Sequence, residues 1–179
     1  MLFNSFEFIF VFLPIVFVFY FYFLKKRWGT LSLLWLVLTS LIYYSWWNIY
    51  YLPLILISIA INYVLGVLLN KNALNPYRKP ILILGIIFNI GLLIYYKYAD
   101  FFISNVNVVF STNIPLLHLA LPLAISFFTF QQIAYLVDIY KREVTSSSLL
   151  EYALFVTFFP QLIAGPIVHQ RKSCLNSSK

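Results

Sequence analysis

Residues 28–70 read WGTLSLLWLVLTSLIYYSWWNIYYLPLILISIAINYVLGVLLN, 43 residues without one charged side chain. At about 1.5 Å of rise per residue, an unbroken helix of this length would reach about 65 Å, roughly twice the ~30 Å hydrocarbon core of a bilayer. The stretch therefore has to turn once. Ser45, Trp46, Trp47, Asn48 and Pro53 mark the place, bringing interfacial aromatics, a turn former and a helix breaker together. The pattern predicts a helical hairpin with halves at about residues 31–47 and 51–69.

The same reasoning extends outward. Residues 8–24 carry no charge and are closed by Lys25, Lys26 and Arg27, a first span. Its charges follow the apolar run, which fits an anchor better than a cleaved signal peptide. Residues 71–80, with Asn72, Asn75, Pro76, Arg78, Lys79 and Pro80, form a polar loop, and residues 81–96 a fourth span closed by Lys97 and Asp100. Residues 101–119 are broken by Ser104, Asn105, Asn107, Ser111, Thr112, Asn113 and Pro115, and fit an interfacial helix as well as a loop. A fifth helix is expected over residues 122–140, with Pro122 tolerated in its first turn. A sixth apolar segment, residues 149–168, contains Pro160, Gly165 and Pro166. The expected fold is all-α, a polytopic transmembrane protein with about six membrane-associated helices.

Composition excludes the alternatives. The 179 residues are 63% hydrophobic, 21% aromatic and 9% charged, with a mean hydropathy of +0.90. Soluble domains carry roughly 25% charged residues, so water-soluble, nucleic-acid-binding and disordered readings fall, and the lipid bilayer is the first partner. The net charge of +7 is a topology signal. Lys25, Lys26 and Arg27, then Lys71, Arg78 and Lys79, then Lys141 and Arg142 lie in loops of one side, against Lys97 on the other. The positive-inside bias predicts these three loops in the cytoplasm and the N-terminus outside.

Hydrocarbon cannot satisfy Asn62, Asn89, Gln131, Gln132 or Asp138, so each is expected to face protein or a water-filled cavity. Ser58, Asn62 and Gly66 repeat at i, i+4 and i+8, and Gly85 and Asn89 at i, i+4, a spacing suited to close helix contact. Gln131, Tyr135 and Asp138 share one edge of the fifth helix. That edge reads either as the lining of a polar passage or, at Asp138, as an ion pair with Lys141 or Arg142 at the membrane exit. Pro160 and the Gly165-Pro166 pair break the sixth segment, which makes Gln161 and Gly165 wall elements of a cavity or parts of a packing kink. His118 and His169 have no metal-ligand spacing around them, and the single cysteine, Cys174, excludes an intrachain disulfide. No metal site, cofactor motif or nucleophile motif is recognisable.

Five stretches carry a resemblance: MLFNSFEFIFVFLPIVF at the start, YYSWWNIYYLPLILISIAINYVLG, NIGLLIYYKYADFF, LPLAISFFTFQQIAYLVDIYKRE and FFPQLIAGPIVH. In this order, over residues 1–169, they resemble the N-terminal part of the membrane-bound O-acyltransferases, in the branch of the alginate O-acetylation proteins. The resemblance implies a multi-pass acyltransferase subunit of the bacterial cytoplasmic membrane. It implies acetyl-CoA as acyl donor, transfer toward an extracytoplasmic, alginate-like polysaccharide, and an extracytoplasmic acetyltransferase as partner. Under this resemblance Gln131, Gln132, Asp138, Pro160, Gln161, Gly165, Pro166 and His169 are the candidate tunnel or motif residues, since a polar edge on the fifth helix and a broken sixth could border a passage for the acyl group. The histidine usually assigned as catalytic lies in the second half of these proteins, and neither His118 nor His169 matches it. The expectation is a chain without a catalytic residue that is inactive alone. A small membrane transporter or an assembly component is the alternative.

Residues 170–179, QRKSCLNSSK, depart from the family-like continuation. Codons able to encode KSCLNSSK, regrouped one nucleotide earlier, can encode VMPQFFK, which restores it. A frameshift near residues 170–172 is the expectation, and the gene's nucleotide sequence decides it.

Overall fold

A computed structural model describes residues 5–71, 77–122, 124–144 and 148–158. The described residues form helices, the turns between them and one extended segment after Phe110, with no strand among them. A π-helical stretch, Phe8–Phe12, runs directly into α1 (Leu13–Lys25). Pro14 explains the widened turn: it has no N–H to donate and its ring crowds the carbonyl four residues back, and a π-bulge relieves both.

α1 closes through Arg27 in the left-handed region, φ 58°. Trp28 N–H reaches the Phe23 carbonyl and Arg27 N–H that of Leu24, a Schellman closure in which arginine stands where glycine is usual. α2 (Gly29–Trp47) then ends at Asn48, whose side chain accepts from Tyr50 N–H and starts the 3₁₀ turn Ile49–Tyr51. α3 (Leu52–Lys71) follows, with Pro53 in its first turn. The hairpin expected over residues 28–70 is present.

α4 (Arg78–Leu93) continues through a π-helical stretch, Ile94–Tyr98, into α5 (Ala99–Phe110). Lys97 and Asp100 were expected to close the fourth span. Instead the helix runs on, because the π stretch rotates it without breaking its hydrogen bonding. After Ser111 the chain folds back in extended form. Asn107 holds it by accepting from Ile114 N–H and donating to the Ile114 carbonyl, and Asp100 accepts from Leu117 N–H at 2.7 Å. The Tyr51 hydroxyl donates to the Ala120 carbonyl, joining this return segment to the start of α3.

α6 (Ile125–Tyr140) begins three residues later than expected and ends in a second Schellman closure, Arg142 at φ 62° with Glu143 N–H on the Asp138 carbonyl. α7 (Leu149–Thr157) opens with a reciprocal capping box between Ser148 and Glu151. Helices α3 and α4 pack against α6, while α2 lies against α1 and α7. Their shared core is built on Tyr44, Ile55, Leu69, Phe128, Leu136 and Val156.

Among the described residues, four helical runs are long and apolar enough to cross a membrane: Phe8–Lys25, Gly29–Trp46, Ile49–Lys71 and Arg78–Phe110. The Arg78 guanidinium fixes how their ends group. It donates to the Leu69 carbonyl at the end of α3 and to the Ile139 and Tyr140 carbonyls at the end of α6. The basic residues following α3 and α6 therefore share one end of the bundle, while the α2–α3 turn and the return segment share the other.

Candidate functional site

Five polar side chains that the sequence places inside apolar helices are almost completely removed from the surroundings. Asn62, Gln131 and Gln132 are fully buried, with Asn89 at 1% and Asp138 at 3% exposure. Asn62 lies near the middle of α3, and its amide is the hub. Its Nδ2 shares two hydrogens among three acceptors, the Gln132 Oε1 at 2.6 Å, the Ser58 carbonyl at 2.9 Å and, more weakly, the Asn89 Oδ1 at 3.2 Å. Asn89 returns a hydrogen bond to the Asn62 Oδ1 at 2.6 Å, and the Ser58 hydroxyl donates to the same Gln132 oxygen at 2.7 Å. Three helices are thus tied by side-chain amides at mid-depth, where no solvent competes.

The glycine of each stripe lies beside this network and sets the helix spacing. A Cβ on Gly66 would lie 2.7 Å from both Cε1 and the hydroxyl of Tyr135, and one on Gly85 would lie 2.5 Å from Leu136 Cδ1. Both stripes therefore sit against α6.

A second group of polar atoms lies beside the first. Gln131, Tyr135 and Thr129 of α6 and Tyr152 of α7 are buried, and their side-chain polar atoms, with Gln132 Nε2, find no hydrogen-bond partner among the described residues; the Tyr44 hydroxyl of α2, nearer Tyr51 and Tyr96, is likewise buried without one. The Tyr135 and Tyr152 rings pack at 4.2 Å between centroids, with Tyr63 next at 6.0 Å from Tyr152. Such a set can donate to and accept from a polar group inside an apolar bundle, and at its centre it carries no charged side chain. Asp138 is buried two residues before the end of α6.

Of the residues singled out from sequence, Gln131, Gln132, Tyr135 and Asp138 are brought into this buried seam. Pro160, Gln161, Gly165, Pro166, His169 and Cys174 lie outside the described residues. His118 sits in the return segment in the left-handed region, φ 46°, away from the seam. No group of three metal-ligating side chains occurs among the described residues. Tyr44 and Tyr152 escaped the sequence reading because they counted as apolar.

The chain is similar in sequence to O-acetyltransferases. It is 48% identical over 161 residues to a peptidoglycan O-acetyltransferase of Helicobacter pylori. It is 36% and 34% identical to probable alginate O-acetylases AlgI of Pseudomonas syringae and Pseudomonas aeruginosa. The chain is homologous to membrane-bound O-acyltransferases. These alignments take in 76%, 76% and 74% of the chain, but only 31%, 27% and 27% of the O-acetyltransferases themselves. The chain thus spans less than a third of the length of the relatives it matches. No protein-family model and no solved structure matches it.

Proposed function

We infer that this chain is a portion of the transmembrane body of an O-acetyltransferase that modifies an extracytoplasmic glycan. The single observation that carries the reading is the homology to O-acetyltransferases across about three quarters of the chain. The higher identity to the peptidoglycan enzyme, 48% against 36%, favours a cell-wall glycan over an alginate-like one as acceptor. In this reading the basic end of the bundle faces the cytoplasm of a bacterial inner membrane and the N-terminus lies outside. Acetyl-CoA is the donor, and an extracytoplasmic acetyltransferase receives the acetyl group. The seam of Gln131, Gln132, Tyr135 and Tyr152 is then a membrane-embedded polar wall whose uncharged donors suit an ester or thioester carbonyl.

A chimera tests this. The corresponding segment of a full-length peptidoglycan O-acetyltransferase is replaced by residues 1–158 of this chain and expressed in a strain lacking the enzyme. Base-released acetate from purified peptidoglycan is then measured. Acetate restored by the chimera and not by residues 1–179 alone is the expected result. A chimera that reaches the membrane but leaves peptidoglycan unacetylated, in a strain that the intact relative restores, overturns the reading.

A further inference from the structure

At the end of the bundle away from the basic loops, the π-helical stretch Ile94–Tyr98 and the return segment enclose a cavity of about 280 Å³. Tyr95, Tyr96, Lys97 and Asp100 line one side and Leu119 and Leu121 the other. From Arg78 to Lys97 the helix advances 19 residues, about 28 Å at 1.5 Å each. That is the thickness of a hydrocarbon core. With Arg78 at one membrane surface, the cavity lies at the other, at headgroup level. Tyr51, Tyr95, Tyr96 and Tyr98 stand around it as an interfacial belt does, Tyr51 edge-on to Tyr96 at 6.0 Å.

Two opposite charges line this one cavity without pairing. Lys97 and Asp100 are three residues apart, a spacing that joins ions on an α-helix, yet no ion pair joins them. The π stretch that contains Lys97 turns it out of α-helical register with Asp100. Lys97 instead donates to the Ser126 hydroxyl at 3.2 Å and lies 5.4 Å from the centre of the Tyr98 ring, with donor capacity left over. Asp100 spends one carboxylate oxygen on Leu117 N–H, which leaves acceptor capacity on its other oxygen.

We propose that this cavity binds the headgroup of a zwitterionic aminophospholipid, phosphatidylethanolamine. Lys97 takes the phosphate, Asp100 takes the primary ammonium, and Leu119 and Leu121 meet the start of an acyl chain. A phosphate and an ammonium joined by two carbons match a cation and an anion on one wall, and the surrounding bilayer delivers such groups at this depth. A trimethylated choline headgroup offers Asp100 no N–H, and a phosphatidylglycerol headgroup offers it no cation. This assignment does not depend on the acetyl-transfer reading.

The test uses the full chain in detergent, equilibrated with phosphatidylethanolamine, phosphatidylcholine or phosphatidylglycerol of matched chains and read by native mass spectrometry. The expected result is about tenfold greater retention of phosphatidylethanolamine than of phosphatidylcholine, the worth of one charge-assisted hydrogen bond. Asp100→Asn keeps an oxygen for Leu117 N–H and so keeps the return segment in place. It is expected to erase the preference while leaving phosphatidylcholine retention unchanged. Lys97→Gln is expected to lower phosphatidylethanolamine retention about tenfold, and Lys97→Arg to preserve it. Equal retention of the lipids by the unaltered chain overturns the proposal, as does an unaffected Lys97→Gln variant. Equal losses in Lys97→Arg and Lys97→Gln also overturn it. Displacement of the lipid by the same concentration of soluble glycerophosphoethanolamine would assign the site to a soluble phosphate ester instead, and sink the lipid reading.

Discussion

Arg78 offers the sharpest test of how the bundle is held. Its Nε lies 3.2 Å from the Leu69 carbonyl, and its Nη2 lies 3.1 and 2.9 Å from the Ile139 and Tyr140 carbonyls. These carbonyls fall in the last turns of α3 and α6, where four acceptors per helix have no intrahelical donor. One guanidinium therefore caps two helices while anchored on a third, and it also packs 5.2 Å from the centre of the Tyr140 ring. Hydrogen bonds to a charged group contribute about 1.5–3 kcal/mol each when sheltered, but Arg78 is only half-buried and water reaches helix ends. Taking about 1 kcal/mol per capped helix and about 0.5 kcal/mol for the ring contact, Arg78→Ala is expected to destabilise the bundle by about 2–3 kcal/mol. Arg78→Lys keeps the charge near both negative helix ends, worth about 0.5 kcal/mol. It lacks the planar fork that reaches both at once, and should lose about 1–2 kcal/mol. Lys79→Ala, at the exposed neighbouring position, should stay within about 0.5 kcal/mol of the unaltered chain. The assay is unfolding in mixed micelles by titration with a denaturing detergent, followed by near-ultraviolet circular dichroism of the buried tyrosines. Arg78→Ala unfolding together with Lys79→Ala would refute the double-cap reasoning. Equal stability of Arg78→Lys and Arg78 would show that charge alone suffices.

The glycines make a graded set in the same assay. Gly66→Ala drives a Cβ to 2.7 Å from Tyr135, whose ring is held by Tyr152, and should cost about 1–3 kcal/mol. Gly91→Ala meets nothing within 4 Å and should be neutral or stabilising by up to about 1 kcal/mol; the reverse order would contradict the packing described. For the amide hub, Asn89→Leu strands the Asn62 side chain and should lose about 1 kcal/mol, while the Asn62→Leu/Asn89→Leu pair should lose less than the sum of its two singles. A double-mutant cycle that closes with no coupling would remove the network from the account.

How much of this was legible in the sequence depends on whether the deciding chemistry is local. The turn between α2 and α3 was legible because Asn48 and Pro53 act on their own neighbours. The run through Lys97 and Asp100 was not, because polar residues look like a span's end whether the helix stops or a π stretch carries them to the membrane surface and beyond. Arg27 and Arg142 read as topology charges. That they also occupy the left-handed residue of a Schellman closure leaves no mark in composition, since glycine, the usual sign, is absent from both turns.

The seam shows the same division. That Asn62, Asn89, Gln131 and Gln132 must be buried follows from one residue type in one medium. Which of two adjacent glutamines joins the hub does not follow, since neighbours on a helix point about 100° apart and only the placement of α3 and α4 decides between them. Gln132 meets Ser58 and Asn62, while Gln131 shares its helix edge with Tyr135, which packs on Tyr152, and the polar atoms of all three find no partner among the described residues. The two glutamines should therefore part under substitution. Gln132→Leu removes the acceptor of two interhelical bonds and should destabilise by about 1 kcal/mol. Gln131→Leu removes a buried amide with no partner among the described residues and should leave the bundle as stable or more so. In the chimera that tests acetyl transfer, a Gln131→Leu variant that is fully stable yet lowers glycan acetate would separate a residue retained for a polar ligand from one retained for packing.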